Sequence, residues 1–118
     1  MSKSILLAKN EHLTGNSETR VEFGDDVITG IWNLIHDASQ LYPWLTEIVN
    51  DAYKDFVIKS PDTPQLKAET LKILKELTSQ SDQQIYPGTV LTITWLRVLL
   101  ALADSAIEFK LNMYGLAD

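Results

Sequence analysis

Residues 89–115, TVLTITWLRVLLALADSAIEFKLNMYG, decide how the whole chain is read. Val90, Leu91, Ile93, Trp95, Leu96, Val98, Leu99, Leu100 and Leu102 follow one another almost without a break, and Ile107, Phe109, Leu111, Met113 and Tyr114 continue the run. The stretch predicts one long helix over 89–114, with Gly115 at the position just past its end where glycine is favoured. At about 1.5 Å per residue it would span some 39 Å. A helix that is apolar nearly all round is normally buried. Only one strip is polar at the helical period: Thr94, Arg97, Ala101, Asp104 or Ser105, Glu108 and Asn112. Arg97 stands in mid-run, near Thr92, Thr94 and Asp104. A membrane span wants about 20 residues nearly free of charge, so the expectation is a soluble core helix with no membrane contact.

Working back from that helix, Ser60-Pro61-Asp62-Thr63-Pro64 reads as a stop followed by a start. Thr63 can cap and Pro64 takes the first helical position. A helix over 64–79 follows, with Leu66, Thr70, Leu71, Ile73, Leu74 and Leu77 as its core positions. Lys67, Glu69, Lys72, Lys75 and Glu76 read as its solvated face. A polar linker, 78–84, and the Pro87-Gly88 turn lead into the long helix. Pro43 separates two earlier helices, since it lacks a backbone donor and turns Tyr42 away from helical angles. A helix over 43–59 carries Leu45, Ile48, Val49, Ala52, Tyr53, Phe56 and Val57 at three- and four-residue steps. A helix over 26–41 begins at Gly24-Asp25-Asp26, where acids suit the free N–H groups and the dipole. Its stripe is Val27, Ile28, Ile31, Leu34, Ile35 and Ala38, and a close neighbour would explain Gly30.

Residues 1–24 are an N-terminal arm or a small hairpin, with Ile5-Leu6-Leu7 and Arg20–Phe23 as its strands and Thr14–Ser17 as its turn. The fold class expected is therefore all-α: a four-helix bundle-like domain, residues 25–118, with a long apolar C-terminal helix.

Composition excludes several functions. The 118 residues suffice for one domain with a real core. The net charge of −6 is spread along the chain, whereas a phosphate-binding surface needs clustered Lys and Arg. Nucleic acid is thus expected only within a larger complex. The absence of Cys rules out disulfides, thiolate metal sites and cysteine nucleophiles. No signal-peptide pattern is present around Ile5–Ala8, so a cytoplasmic location is expected.

No residues suggest a cofactor or a metal. Glu47, Asp51 and Asp55 form an acidic ladder on the predicted second helix. A bundle metal site would add Glu-x-x-His, and the ladder reads as a solvated face. His12 and His36 have no orienting partner or nucleophile recognisable at a fixed spacing. The candidates that remain are for an interface: Arg97, with Asp104 and Glu108 on the same helical face, Trp95 beside them, and Trp44 at a helix junction. Arg and Trp are the residues that most often anchor interfaces.

The function expected is a non-enzymatic protein–protein interaction protein. It would be a small helical subunit of an assembly, or an inhibitor of the immunity or phage counter-defence kind. It would bind a protein partner, a second copy, or both. The alternatives are a helical bundle that binds a small molecule between Trp-lined helices, and a helical subunit of a ribonucleoprotein.

Overall fold

The structure, a computed structural model, describes residues 2–10, 21–50, 54–79 and 87–117. It overturns the all-α expectation: the chain is mixed α/β, with four helices packed on a four-stranded antiparallel sheet. In chain order the elements are β1 (Ser2–Ala8), β2 (Val21–Gly24), α1 (Asp25–Ile35), a 3-10 stretch (His36–Leu41), α2 (Pro43–Val49), β3 (Phe56–Ile58), a 3-10 turn (Ser60–Asp62), α3 (Thr63–Thr78), α4 (Pro87–Phe109) and β4 (Asn112–Ala117). The sheet order is β2-β1-β4-β3, so the two ends of the chain form its centre. His12, the Thr14–Ser17 turn, Arg20, Asp51, Ala52, Tyr53 and residues 80–86 lie outside the described residues.

Directly opposed residues of an antiparallel pair share a face. Ile5 lies opposite Gly115 and Val21, Leu7 and Ile58 lie opposite Met113, and Phe23 lies opposite Lys3. This face meets the helices, and its apolar members join Ile31, Ile35, Leu45, Leu66, Leu96 and Leu99 in one core. The alternate residues Leu6, Ala8 and Tyr114 make a second, smaller cluster on the other face, with Leu116 against it.

The long helix ends five residues before its expected end at 114, and the reason is local. Lys110 adopts a φ of 54°, the left-handed conformation that usually falls to glycine. Leu111 N–H then bonds to the Ala106 carbonyl at 2.9 Å, and Lys110 N–H points to the Ile107 carbonyl at 3.4 Å. These are the two bonds of a Schellman terminator, accompanied by a buried Leu111. Past it the pattern changes from period 3.6 to period 2. Gly115, expected to terminate the helix, is instead a strand residue. A Cβ there would overlap the Phe56 ring, which lies across it from β3.

The predicted 43–59 helix is likewise shorter. Among the described residues of that span, Pro43–Val49 is helical and Phe56–Ile58 pairs with β4. Seven residues form no stable helix alone; α2 is held from outside at both ends. At its start, Tyr42 stands at the N-cap and offers no capping oxygen. Glu69 Oε1, from α3, instead accepts the N–H groups of Trp44 at 3.0 Å and Leu45 at 3.1 Å. At its end, Lys3 Nζ from β1 donates to the Ile48 carbonyl at 2.6 Å. An acid at the N-terminus and a base at the C-terminus both suit the helix dipole. Glu69 was expected on a solvated face but is only 2% exposed, and Lys3 is fully buried. Burial raises the Glu69 pKa above the ordinary carboxyl value, although its hydrogen bonds to Leu45, Gln65 and Trp44 pull the other way.

Candidate interface on the fourth helix

One side of α4 is committed to the core through Leu96, Leu99, Ala103 and Ala106, all without exposure. Gly30 of α1 is pressed against this helix: a Cβ would stand 2.7 Å from Thr92 Oγ1. Trp95 lies over Phe23 of β2, ring centroids 5.0 Å apart. The sheet thus covers part of the apolar surplus. It does not cover all of it, since Val90, Leu91, Ile107 and Phe109 remain exposed, Phe109 at 65%. By length and composition Val90–Phe109 is long and apolar enough to cross a membrane; here it is the helix against which α1 and α3 pack.

The outward side carries the charges. Arg97, Asp104 and Glu108 fall seven and four residues apart, on one face. All three are exposed. Asp104 Oδ1 meets Lys67 Nζ of α3 at 2.7 Å. With both side chains partly in water, such a pair contributes about 0–1 kcal/mol. Among the described residues, Arg97 and Glu108 have no ion-pair or hydrogen-bond partner. Ala101, exposed, sits between them in the sequence of the strip.

Beside this strip runs an apolar groove where α4 meets β1 and β2. Leu7, Val21, Val98, Ala101, Leu102, Ser105, Phe109 and Leu111 line its roughly 400 Å³. A second hollow of roughly 690 Å³ continues it toward the start of the helix, lined among the described residues by Val21, Glu22, Trp95 and Val98. Among the described lining residues, the charged or hydroxyl-bearing side chains are Ser105 and Glu22.

Of the five residues singled out in the sequence, Arg97, Asp104 and Glu108 share the exposed face of α4, whereas Trp95 is half-buried on another side of the helix, against Phe23 and at the second hollow. Trp44 does not join them. It is half-buried at the start of α2 and packs on the core. Val21, Ser105 and Phe109 were missed. Phe109 had the only available signal, a large apolar residue next to Glu108 and Lys110 at the edge of the polar strip.

The other constellations disperse. Glu47 reaches Lys54 at 4.0 Å, while Asp55 Oδ1 accepts the Ala117 N–H at 2.7 Å and fastens the end of β4. His36 is exposed on the 3-10 stretch, with Nε2 3.2 Å from Asp37 Oδ1. Among the described residues no three His, Asp or Glu side chains converge on a metal position. Tyr42 also has a displaced pKa, raised first by burial and then by the Glu76 carboxylate, to which its hydroxyl donates at 3.4 Å.

Compared with known protein families, with curated proteins and with solved structures, the chain matches none.

Proposed function

We propose that this chain is a non-enzymatic protein-binding module, of the kind that serves as a complex subunit or as an inhibitor, and that it docks through the outer side of α4. The observation that carries this reading is the joint presence of two opposite charges without partners among the described residues, Arg97 and Glu108, beside an apolar groove with the exposed Phe109 on its rim. Interface centres combine just these elements: a desolvated apolar seat, aromatic anchors and an Arg. Monomeric proteins seldom leave such apolar patches uncovered. The groove by itself would also admit an apolar small molecule, but that reading leaves the two charges without a role.

The test uses immobilised wild-type chain and Arg97→Glu as baits in native lysate, with mass spectrometry of what is retained. A protein recovered in stoichiometric amount by the wild type and lost with Arg97→Glu is the expected result. Recovery that ignores the substitution, or partition of the chain onto phospholipid vesicles instead, would each overturn the proposal, as would no recovery at all by a chain that is monomeric on its own.

A further inference from the structure

The outer strip of α4 is complementary to itself. Its cation, Arg97, lies one turn on the N-terminal side of Ala101, and its anion Glu108, unpaired among the described residues, lies one turn on the C-terminal side of Asp104. A two-fold axis that passes beside the middle of the Ala101–Asp104 turn, perpendicular to the helix and midway between two antiparallel copies, exchanges these positions. It sets Arg97 of each copy level with Glu108 of the other. The small Ala101 side chain lies at the crossing, where two helix axes must approach to about 8–10 Å.

The same axis makes a second match that the charges do not require. In an antiparallel helix pair, the two flanks on the same side of the seam face each other. The flank nearest β2 carries Val98 and Phe109, with Leu102 and Trp95 set deeper toward the sheet. At a rise of about 1.5 Å per residue, Phe109 of one copy comes level with Leu96 of the other. It therefore arrives at the hollow formed by Val21, Glu22, Trp95 and Val98. The side chain that is 65% exposed in the single chain thus meets the hollow beside Trp95, where Val21, Val98 and the Trp95 ring are its apolar described lining. Charge and shape are satisfied by one operator, as an isologous interface demands.

We propose that the chain forms a two-fold homodimer in which α4 packs antiparallel on α4 of a second copy, with reciprocal Arg97–Glu108 ion pairs and Phe109 seated against Trp95 and Val98. This rests on the reading of the α4 face as a docking surface and names its occupant.

Sedimentation equilibrium on the full chain tests it, with circular dichroism to verify each variant's fold. The wild type should be a dimer. Arg97→Glu and Glu108→Arg should each be monomeric, because each places like charges opposite one another. The double variant carrying both changes should recover the dimer, since the pair is reversed and not removed. Phe109→Ser should weaken association by at least about tenfold, the effect of losing one aromatic anchor. A wild type that stays monomeric at millimolar concentration, or a double variant no better than its singles, would overturn the dimer. If the wild type is monomeric yet the Arg97-dependent capture described above succeeds, the docking surface stands and its occupant is a different protein. If both fail, both proposals fall.

Discussion

Removing the Glu69 side chain should destabilise the protein far more than a surface glutamate would. In Glu69→Ala the N–H groups of Trp44 and Leu45 lose their acceptor, now 3.0 and 3.1 Å away, at a site only 2% exposed. A buried donor left without a partner costs about 1–3 kcal/mol. Two donors, partly reached by water at the margin of α2, should cost about 2–4 kcal/mol together. Glu69→Gln keeps an acceptor oxygen in place and should cost about 1 kcal/mol or less. The pH dependence separates the two effects. Burial raises the folded-state pKa, so between the unfolded carboxyl value, about 4.3, and the raised folded value the native state holds more protons than the unfolded state. This group's contribution is then fully present below the unfolded value and is lost as pH rises through the folded one. Glu69→Gln removes that loss, so its stability relative to wild type should improve as pH increases from about 4 through that window. Urea titrations followed by Trp fluorescence measure both quantities. A cost under about 1 kcal/mol for Glu69→Ala would show that α2 does not depend on this cap, and a Glu69→Gln difference that worsens with rising pH would contradict the raised pKa.

Three further outcomes can be checked by the same denaturation assay. Leu99→Ala, at a position with no exposure in the core, should cost about 2–5 kcal/mol through lost burial and the cavity left behind. Gly115→Ala should cost at least about 2 kcal/mol, the scale of overpacking, because its methyl would overlap the Phe56 ring. Combining it with Phe56→Leu should cost less than the two single changes added together. Lys110→Gly should stabilise by about 0.5–1 kcal/mol, because the positive φ at the end of α4 carries no penalty for glycine.

The helices were legible where their stripes were long. α1, α3 and most of α4 follow from the spacing of Val27–Ile35, Leu66–Leu77 and Leu96–Ala106, and Pro43 marks a true start. The sheet was not legible, for three physical reasons. β3 has only three residues, and Phe56 and Val57 happen to extend the α2 stripe. The end of α4 is made by a lysine in a glycine's conformation, so the expected punctuation is missing at Lys110 and a misleading glycine stands at Gly115. The central pairing joins Ser2–Ala8 to Asn112–Ala117, the two ends of the chain, and no local pattern announces such a contact. Glu69 shows what charge alone conceals. It lies three residues after Leu66 and four before Ile73, on the buried stripe, where its carboxylate serves a helix elsewhere in the fold. The charged half of the candidate interface could be read because it lies on one helix. The groove could not, because Val21 comes from a distant strand.

Site-directed cross-linking tests the docking face most directly, and the chain's lack of cysteine makes it simple. Ala101→Cys should join two copies efficiently through a short bismaleimide. Val57→Cys, exposed on the opposite face of the sheet, should not. Ala101→Cys linking no more than Val57→Cys, both with itself and with proteins of a native lysate, would contradict the assignment of α4 as the binding surface.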